Sequence, residues 1–358
     1  EINDYGDPVF RSRMAESVRL YSNLRQWFHD QSIEESKTLV SDFRFMRKPR
    51  HYPDRNQDLS SVLPLWTKRG VVNDLKKKAL QILIGEYRMA GFQVRATERI
   101  LMGIPDPNMT FIQNIKSASS TIICAGTGSG KTNAFFWPAL SNMVDDTVKN
   151  PGTRVRALAI YPRNELLKDQ FNEVWQQCRK LDLVTGAGGG RNIRIGALFG
   201  DTIESIATAK YTDKAYHSFD YLKCATPNCL GKMRWNKADF DRDIERLECS
   251  QCHFKVTSEQ VSLTRESMKK VPPDILFTTT EMLNQKMSES HYRHLFGFRS
   301  KHPVPLVLLD EVHTYSGESG ANIAFLLRRW MKLAKMAPHF VGLSATLVEA
   351  EKFLARLT

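Results

Sequence analysis

The 358-residue sequence predicts an α/β protein: a buried parallel sheet flanked by helices, with a helical extension before it and a small cysteine-bearing insert within it. Three observations predict this. After residue 90, short apolar runs alternate with longer amphipathic stretches, as βα units around a buried sheet require. A glycine-rich string stands between one such run and an apolar helix. Four cysteines fall in two pairs inside a strongly charged stretch, 203–270. Composition agrees, with 42% hydrophobic and 25% charged residues, and the length suits about two domains. No uninterrupted apolar run reaches the ~18 residues of a transmembrane helix, so no membrane partner is expected. The chain starts at Glu1 without an initiator Met or a signal segment and reads as an internal start. Six cysteines are too few for a disulfide scaffold and favour a reducing, cytoplasmic compartment. The net charge of +12 permits a polyanionic partner.

Taken in order, residues 1–90 read as the helical extension. Phe10, Met14, Val18, Tyr21, Leu24, Trp27 and Phe28 recur at three- and four-residue steps, which builds one buried helical face. The basic stretch Arg44 to Arg55 contains Pro49 and Pro53 and is a loop. It reads equally as a strip facing phosphates, with Tyr52 stacking on a base, or as a solvated turn. A helix over about Val71 to Met89 ends at Gly91. The main lobe is then 91–358. Its strands are expected at Thr121–Cys124, Arg156–Ile160, Ile193–Phe199, Ile275–Thr278, Leu306–Leu309 and Phe340–Ser344, with the insert at 203–270.

The glycine-rich string is Ala125-Gly126-Thr127-Gly128-Ser129-Gly130-Lys131-Thr132. Glycines let successive backbone N–H groups turn inward around phosphate oxygens, and the following helix adds the positive end of its dipole. Lys131 then neutralises the terminal phosphates of ATP and the Thr132 hydroxyl ligates Mg²⁺. Such a loop needs a carboxylate from a second strand. Leu306-Val-Leu-Leu-Asp310-Glu311 supplies it: Asp310 to hold Mg²⁺ through its shell, Glu311 to polarise the attacking water.

Cys224-x4-Cys229 and Cys249-x2-Cys252 are close to a zinc-ribbon pattern, in which two knuckles place four thiolates around Zn²⁺. His253 is an alternative fourth ligand, and an iron–sulfur cluster is the other four-thiolate option. The surrounding segment looks too charged to bury an apolar core of its own, which leaves the metal as its main folding term.

The order of these segments resembles the first RecA-like lobe of a superfamily 2 helicase of the DEAD/DEAH (here DEVH-box) kind, over about 90–358. Such lobes carry A-x-T-G-S-G-K-T, matched at 125–132, D-E-x-H, matched at 310–313 and ending in His313, and S-A-T, matched at Ser344-Ala345-Thr346. The resemblance implies that Gln93 reads the adenine edge as part of a Q motif, and that Ser344 and Thr346 couple hydrolysis to movement. It also implies that Arg163 and Asn164 (in Tyr161-Pro-Arg-Asn-Glu-Leu166), Gly200 (in Gly-Asp-Thr202) and Thr279 (in Pro273 to Thr280) contact a nucleic-acid backbone. The strings Asp-Glu-Val-His-Thr-Tyr-x-Gly and Phe325-Leu-Leu-Arg-Arg-Trp330 are similar to one branch of the superfamily. That branch holds mitomycin-repair-type helicases and the large helicases of antiphage islands such as DISARM and Druantia.

The function this implies is ATP-driven translocation or unwinding on nucleic acid, DNA rather than RNA, with ATP, Mg²⁺ and Zn²⁺ as cofactors. Two rivals are an ATP-latched DNA-recognition subunit with little unwinding and an RNA-remodelling enzyme. Superfamily 2 enzymes close ATP between two lobes. No motif of the second RecA-like lobe follows Thr346, so the chain is expected to be half a motor, nearly inactive alone, with the missing lobe and other defence-system subunits as partners.

Overall fold

The computed structural model describes residues 52–358 except 106–112, 115–117, 127, 212–213, 299, 301 and 346, together with scattered positions between 17 and 38. Thr127, Thr346, the pattern residues Phe10, Met14, Val18, Trp27 and Phe28, and the stretch from Arg44 to His51 lie outside the described residues. The chain forms two compact units, 1–51 and 52–358. In the first, Ser17, Leu20 and Tyr21 are helical.

The second unit opens with strand β1 (Arg55–Gln57), helices α1 (Leu59–Lys68) and α2 (Asp74–Ile84), and β2 (Met89–Ala90), which pairs antiparallel with β1. Asn73 starts α2 by accepting the Lys76 N–H on its side chain, a conventional N-cap. Trp66, Leu80 and Ile84 of these helices share one apolar cluster with Leu101 of α3 (Gly91–Gly103) and Trp137 of α4 (Lys131–Lys149). The separate extension expected over 1–90 is therefore corrected. Two short amphipathic helices cannot bury their faces against each other alone, so 52–90 joins the lobe and the break falls between His51 and Tyr52.

The lobe continues with β3 (Ser120–Cys124), β4 (Ala157–Tyr161), α5 (Asn164–Ala187) and β5 (Ile195–Leu198). The insert follows: β6 (Tyr216–Lys223), β7 (Lys232–Asn236), β8 (Arg246–Cys249) and β9 (Lys255–Thr257), an antiparallel sheet in that order. After it come β10 (Val261–Ser262), α6 (Arg265–Lys270), β11 (Ile275–Thr279), α7 (Thr280–Met287), β12 (Leu306–Leu309), α8 (Gly317–Ala334), β13 (His339–Ser344) and α9 (Ala350–Leu357). Seven strands form one parallel sheet in the order β10-β5-β11-β4-β12-β13-β3. Alternate residues of each strand serve opposite faces. Ala157, Ala159 and Tyr161 meet α3, α4 and α5, while Leu158 and Ile160 meet α7, α8 and α9.

The insert does bury a core, which corrects the expectation from its charge. Met233, Trp235, Phe240 and Leu247 are fully buried in the same cluster as Phe171 and Trp175 of α5. Trp175 Nε1 donates to the Lys223 carbonyl at 3.2 Å, and Asn172 Oδ1 accepts the Lys223 N–H at 2.9 Å. Averaged composition hid this because the charges occupy the outward positions of period-2 strands. Its far boundary also moves. Ile203 bridges Thr264 in parallel, and β10 pairs with β5, so 261–270 belongs to the lobe.

One buried titratable group gives this fold a pH dependence. His339 is 2% exposed, with Nδ1 3.0 Å from Ser119 Oγ and Nε2 3.0 Å from Thr121 Oγ1. Burial, and then the charge of Arg99, push its pKa down to about 4. The unfolded chain takes up a proton near pH 6.5 that the folded chain refuses until about 4, so stability falls as pH drops through that window. The expected loss is roughly 2–3 kcal/mol by pH 4.5. His339→Gln, which keeps a donor and an acceptor, should show a flatter decline in urea midpoint between pH 7 and pH 4.5. Parallel declines in the two chains would refute this.

Candidate active site

Because all seven strands run parallel, their C-terminal ends meet one edge of the sheet, where open α/β sheets bind ligands. The strand order sorts that edge into two halves. On β3, β13 and β12 stand the phosphate loop, Ser344 and Asp310-Glu311. On β4, β11 and β5 stand Arg163-Asn164, Thr279 and Gly200.

In the loop, Gly128 and Gly130 have φ of 76° and 88°, a left-handed backbone that favours glycine. Gly130 is doubly required, since a Cβ there would meet Gln93 Nε2 at 2.7 Å. Gln93 is fully buried. Its Oε1 accepts the Ala90 N–H at 2.8 Å and its Nε2 donates to the Gly130 carbonyl at 3.1 Å, so its amide braces the loop. Each amide atom retains one further hydrogen-bonding site. Beside it, Tyr87 packs edge-on against Trp137 at 5.4 Å, and the Arg55 guanidinium lies 4.8 Å over the Tyr87 ring. Neither the brace nor the Tyr87 platform was legible from spacing, because Gln93 and Gly130 are 37 positions apart.

Lys131 opens α4, with half-buried Thr132 in its first turn. Lys131 Nζ and Ser129 Oγ are buried with no hydrogen-bond partner among the described residues. An unpaired ammonium out of water is costly, and an anion seated in the loop removes that cost. Burial, then the neighbouring Glu311, push the Asp310 carboxyl up to about 6, while Lys131 pulls the other way. A carboxylate made uncomfortable in this way fits a divalent cation, whose charge reverses the shift. Ala125 N–H donates to the Ser344 carbonyl at 3.2 Å, and Asp310 N–H to the Ile160 carbonyl at 3.1 Å, tying both loops to neighbouring strands. Glu311 has a left-handed φ of 46°, and its Oε2 lies 3.2 Å from His313 Nδ1. That nitrogen is also 3.3 Å from Ser344 Oγ, so Glu311, His313 and Ser344 form a contact chain from β12 to β13.

On the other half, Arg163 is exposed at the N-cap of α5 and Asn164 begins that helix. Gly200 is exposed beyond β5. Thr279 Oγ1 accepts the Met282 N–H at 3.2 Å and caps α7. The helix starts and the bare glycine leave backbone N–H groups at the edge.

The four cysteines converge. Cys224 Sγ is 3.5 Å from Cys252 Sγ, Cys229 Sγ is 3.6 Å from Cys249 Sγ, and all four lie within 4.8 Å of one another. Four thiolates about 2.3 Å from one tetrahedral ion stand about 3.8 Å apart, so the donor set fits a metal. His253 is outside the group; its Nδ1 pairs with Glu248 Oε1 at 2.7 Å.

A phosphate loop after β3 and an Asp-Glu pair after β12, with β13 and its Ser344 between them, define a P-loop nucleotide-binding lobe. The chain belongs to the DEAD/DEAH box helicase family, whose model matches residues 107–210 and 238–353. The unmatched stretch between them carries the first cysteine knuckle. Membership implies use of ATP and Mg²⁺. The chain is 26% identical over 258 residues to the Druantia protein DruE of Escherichia coli (strain UMEA 4076-1), covering 60% of this chain and 14% of that protein. It is 32% identical over 101 residues to the ATP-dependent helicase Lhr-Core of Methanocaldococcus jannaschii, covering 27% and 11%. Among solved structures it is similar to the DUF1998 helicase MrfA bound to DNA, with TM-score 0.46, 19% identity, and 80% of this chain and 28% of that one covered. The chain thus spans less than a third of the length of each of these relatives.

Proposed function

We propose that this chain is the ATP-binding lobe of a DNA helicase or translocase, in which one half of the sheet edge works the other. The carrying observation is the strand order, which sets Asp310-Glu311 on β12 between the phosphate-loop side of the sheet edge and the ends of β4, β11 and β5. Lys131 and the N-terminus of α4 hold the phosphates. Thr132 and Asp310 hold Mg²⁺, which when bound screens the phosphate charge. Glu311 orients the attacking water and accepts its proton. The Glu311–His313–Ser344 chain passes displacement of Glu311 to β13, and Ser344 and Thr346 hand it on. Arg163, Asn164, Gly200 and Thr279 grip the strand backbone. A second RecA-like lobe completes the site with an arginine, a group worth roughly 10³–10⁵ in rate. Zinc at Cys224, Cys229, Cys249 and Cys252 holds the insert. The resemblance to mitomycin-repair-type helicases supports DNA as the track, and the similarity to DruE supports defence as the setting.

The test is ATP hydrolysis by this chain joined to a second lobe, with single-stranded DNA, RNA and duplex DNA compared. Stimulation by single-stranded DNA is expected; stimulation by RNA alone would favour RNA remodelling, and tight binding without turnover a latch. The same edge predicts that Arg163→Ala weakens single-stranded DNA binding uniformly across sequences. The slope of log affinity against log salt should fall by about 0.7–1, one phosphate contact. An unchanged slope would remove Arg163 from the interface.

A further inference from the structure

Between α7 and α8 lies a groove of about 490 Å³. At one end is Thr280, the residue after Thr279 at the end of β11. Along it, Arg329 Nη2 donates to Asn284 Oδ1 at 2.6 Å. The floor is apolar, formed by Ile323 and Leu326, and one wall is the ring of Phe325, 67% exposed. Asn322 and Ser319 continue that wall about one and two helical turns earlier.

A single exposed phenylalanine is ordinary on a protein surface. Phe325 differs in what surrounds it. The groove's charges balance, Glu281 against Arg329, and Arg329 already donates to Asn284. A polyanionic backbone therefore gains little by entering. An exposed aromatic ring beside an apolar floor, rimmed by hydroxyls and side-chain amides, is the chemistry that accepts a nucleobase by stacking and edge hydrogen bonds. The groove also continues directly from Thr279, where the strand backbone is proposed to lie.

We infer that the groove receives an unpaired base of the bound strand, stacked on Phe325. The inference rests on the nucleic-acid reading of the sheet edge. Sequence inspection singled out Phe325-Leu-Leu-Arg-Arg-Trp330 as a string, but gave Phe325 no task.

The test uses the 358-residue chain and a single-stranded DNA oligonucleotide carrying 2-aminopurine. Phe325→Ala and Phe325→Leu should weaken binding about tenfold, within the 5- to 150-fold that one stacked base is worth, with the salt slope unchanged. Phe325→Trp should retain affinity. Quenching of 2-aminopurine should occur with the unaltered chain and vanish with Phe325→Ala. An abasic strand should bind the unaltered and alanine chains equally. Wild-type affinity and quenching in Phe325→Ala, while Arg163→Ala still weakens binding, would overturn this inference alone. Failure of the unaltered chain to bind DNA at low salt would overturn it together with the nucleic-acid reading. A concentration-dependent dimer lost in Phe325→Ala, with DNA binding unaffected, would assign the groove to a second copy.

Discussion

Lys131→Ala is expected to lose nearly all nucleotide affinity, by about 30-fold to several thousand-fold. That range is what truncating one member of a buried charge pair costs, roughly 2–5 kcal/mol. Lys131 Nζ is buried and has no hydrogen-bond partner among the described residues, so the phosphates of the nucleotide are the natural counter-charge for that ammonium. Glu311→Gln should behave differently. It preserves shape and the backbone turn at φ 46° but removes the base that takes the proton of water. Nucleotide binding should persist, and single-turnover hydrolysis by the two-lobed enzyme should fall 10²–10⁴-fold, the usual contribution of a general base. Binding of a fluorescent ATP analogue to the 358-residue chain, with turnover by this chain joined to a second lobe, separates the two. Equal loss of binding in both variants would sink the division of labour between Lys131 and Glu311.

Loss of one sulfur should have an effect of comparable size on the insert. The purified chain is expected to hold one zinc by elemental analysis, and Cys249→Ser to hold none. Structural zinc is worth roughly 10–16 kcal/mol, similar to or above the whole stability of a typical domain. Cys249 is buried and sits between Cys229 and the core residue Leu247, so its loss opens the cluster from inside. The insert core is continuous with α5 through Trp175, and limited proteolysis should therefore cut first within 204–260 and then along α5. Cys124→Ser, at an exposed thiol outside the group, should keep its zinc. Iron with visible absorbance, or full zinc content in Cys249→Ser, would dismiss the assignment.

What could be read from the sequence was whatever is local in the chain. The phosphate loop is eight consecutive residues between a strand and a helix, and Asp310-Glu311 ends an apolar run, so adjacency alone exposes both. The parallel sheet followed from continuous apolar runs, because strands covered on both faces need no alternation. The unread parts depend on distant partners. Trp235 and Phe240 look like isolated aromatics in a charged segment until α5 is placed beneath them. Trp66 and Leu80 belong to the lobe only because Trp137 comes to meet them. Gln93 was picked out by a resemblance that implied an adenine contact. Its hold on Gly130 emerges only when α3 is laid beside the loop.

The position of β3 at the end of the sheet has a consequence for how this protein is made. In the seven-stranded sheet β3 pairs with β13 alone, and the two are separated by 220 residues, as in the Ser119–His339 contact. A ribosome adds roughly 5–20 residues per second, so β3 waits about 10–45 s for its neighbour to be synthesised. Through that interval both edges of the apolar strand beneath the phosphate loop are open, a state prone to wrong pairing and to capture by chaperones. Gln93 braces the loop at Gly130 early, but the Ala125 N–H finds its acceptor only when the Ser344 carbonyl arrives. A chain terminated before β13 would carry the glycine-rich loop on a strand without the partner it pairs with.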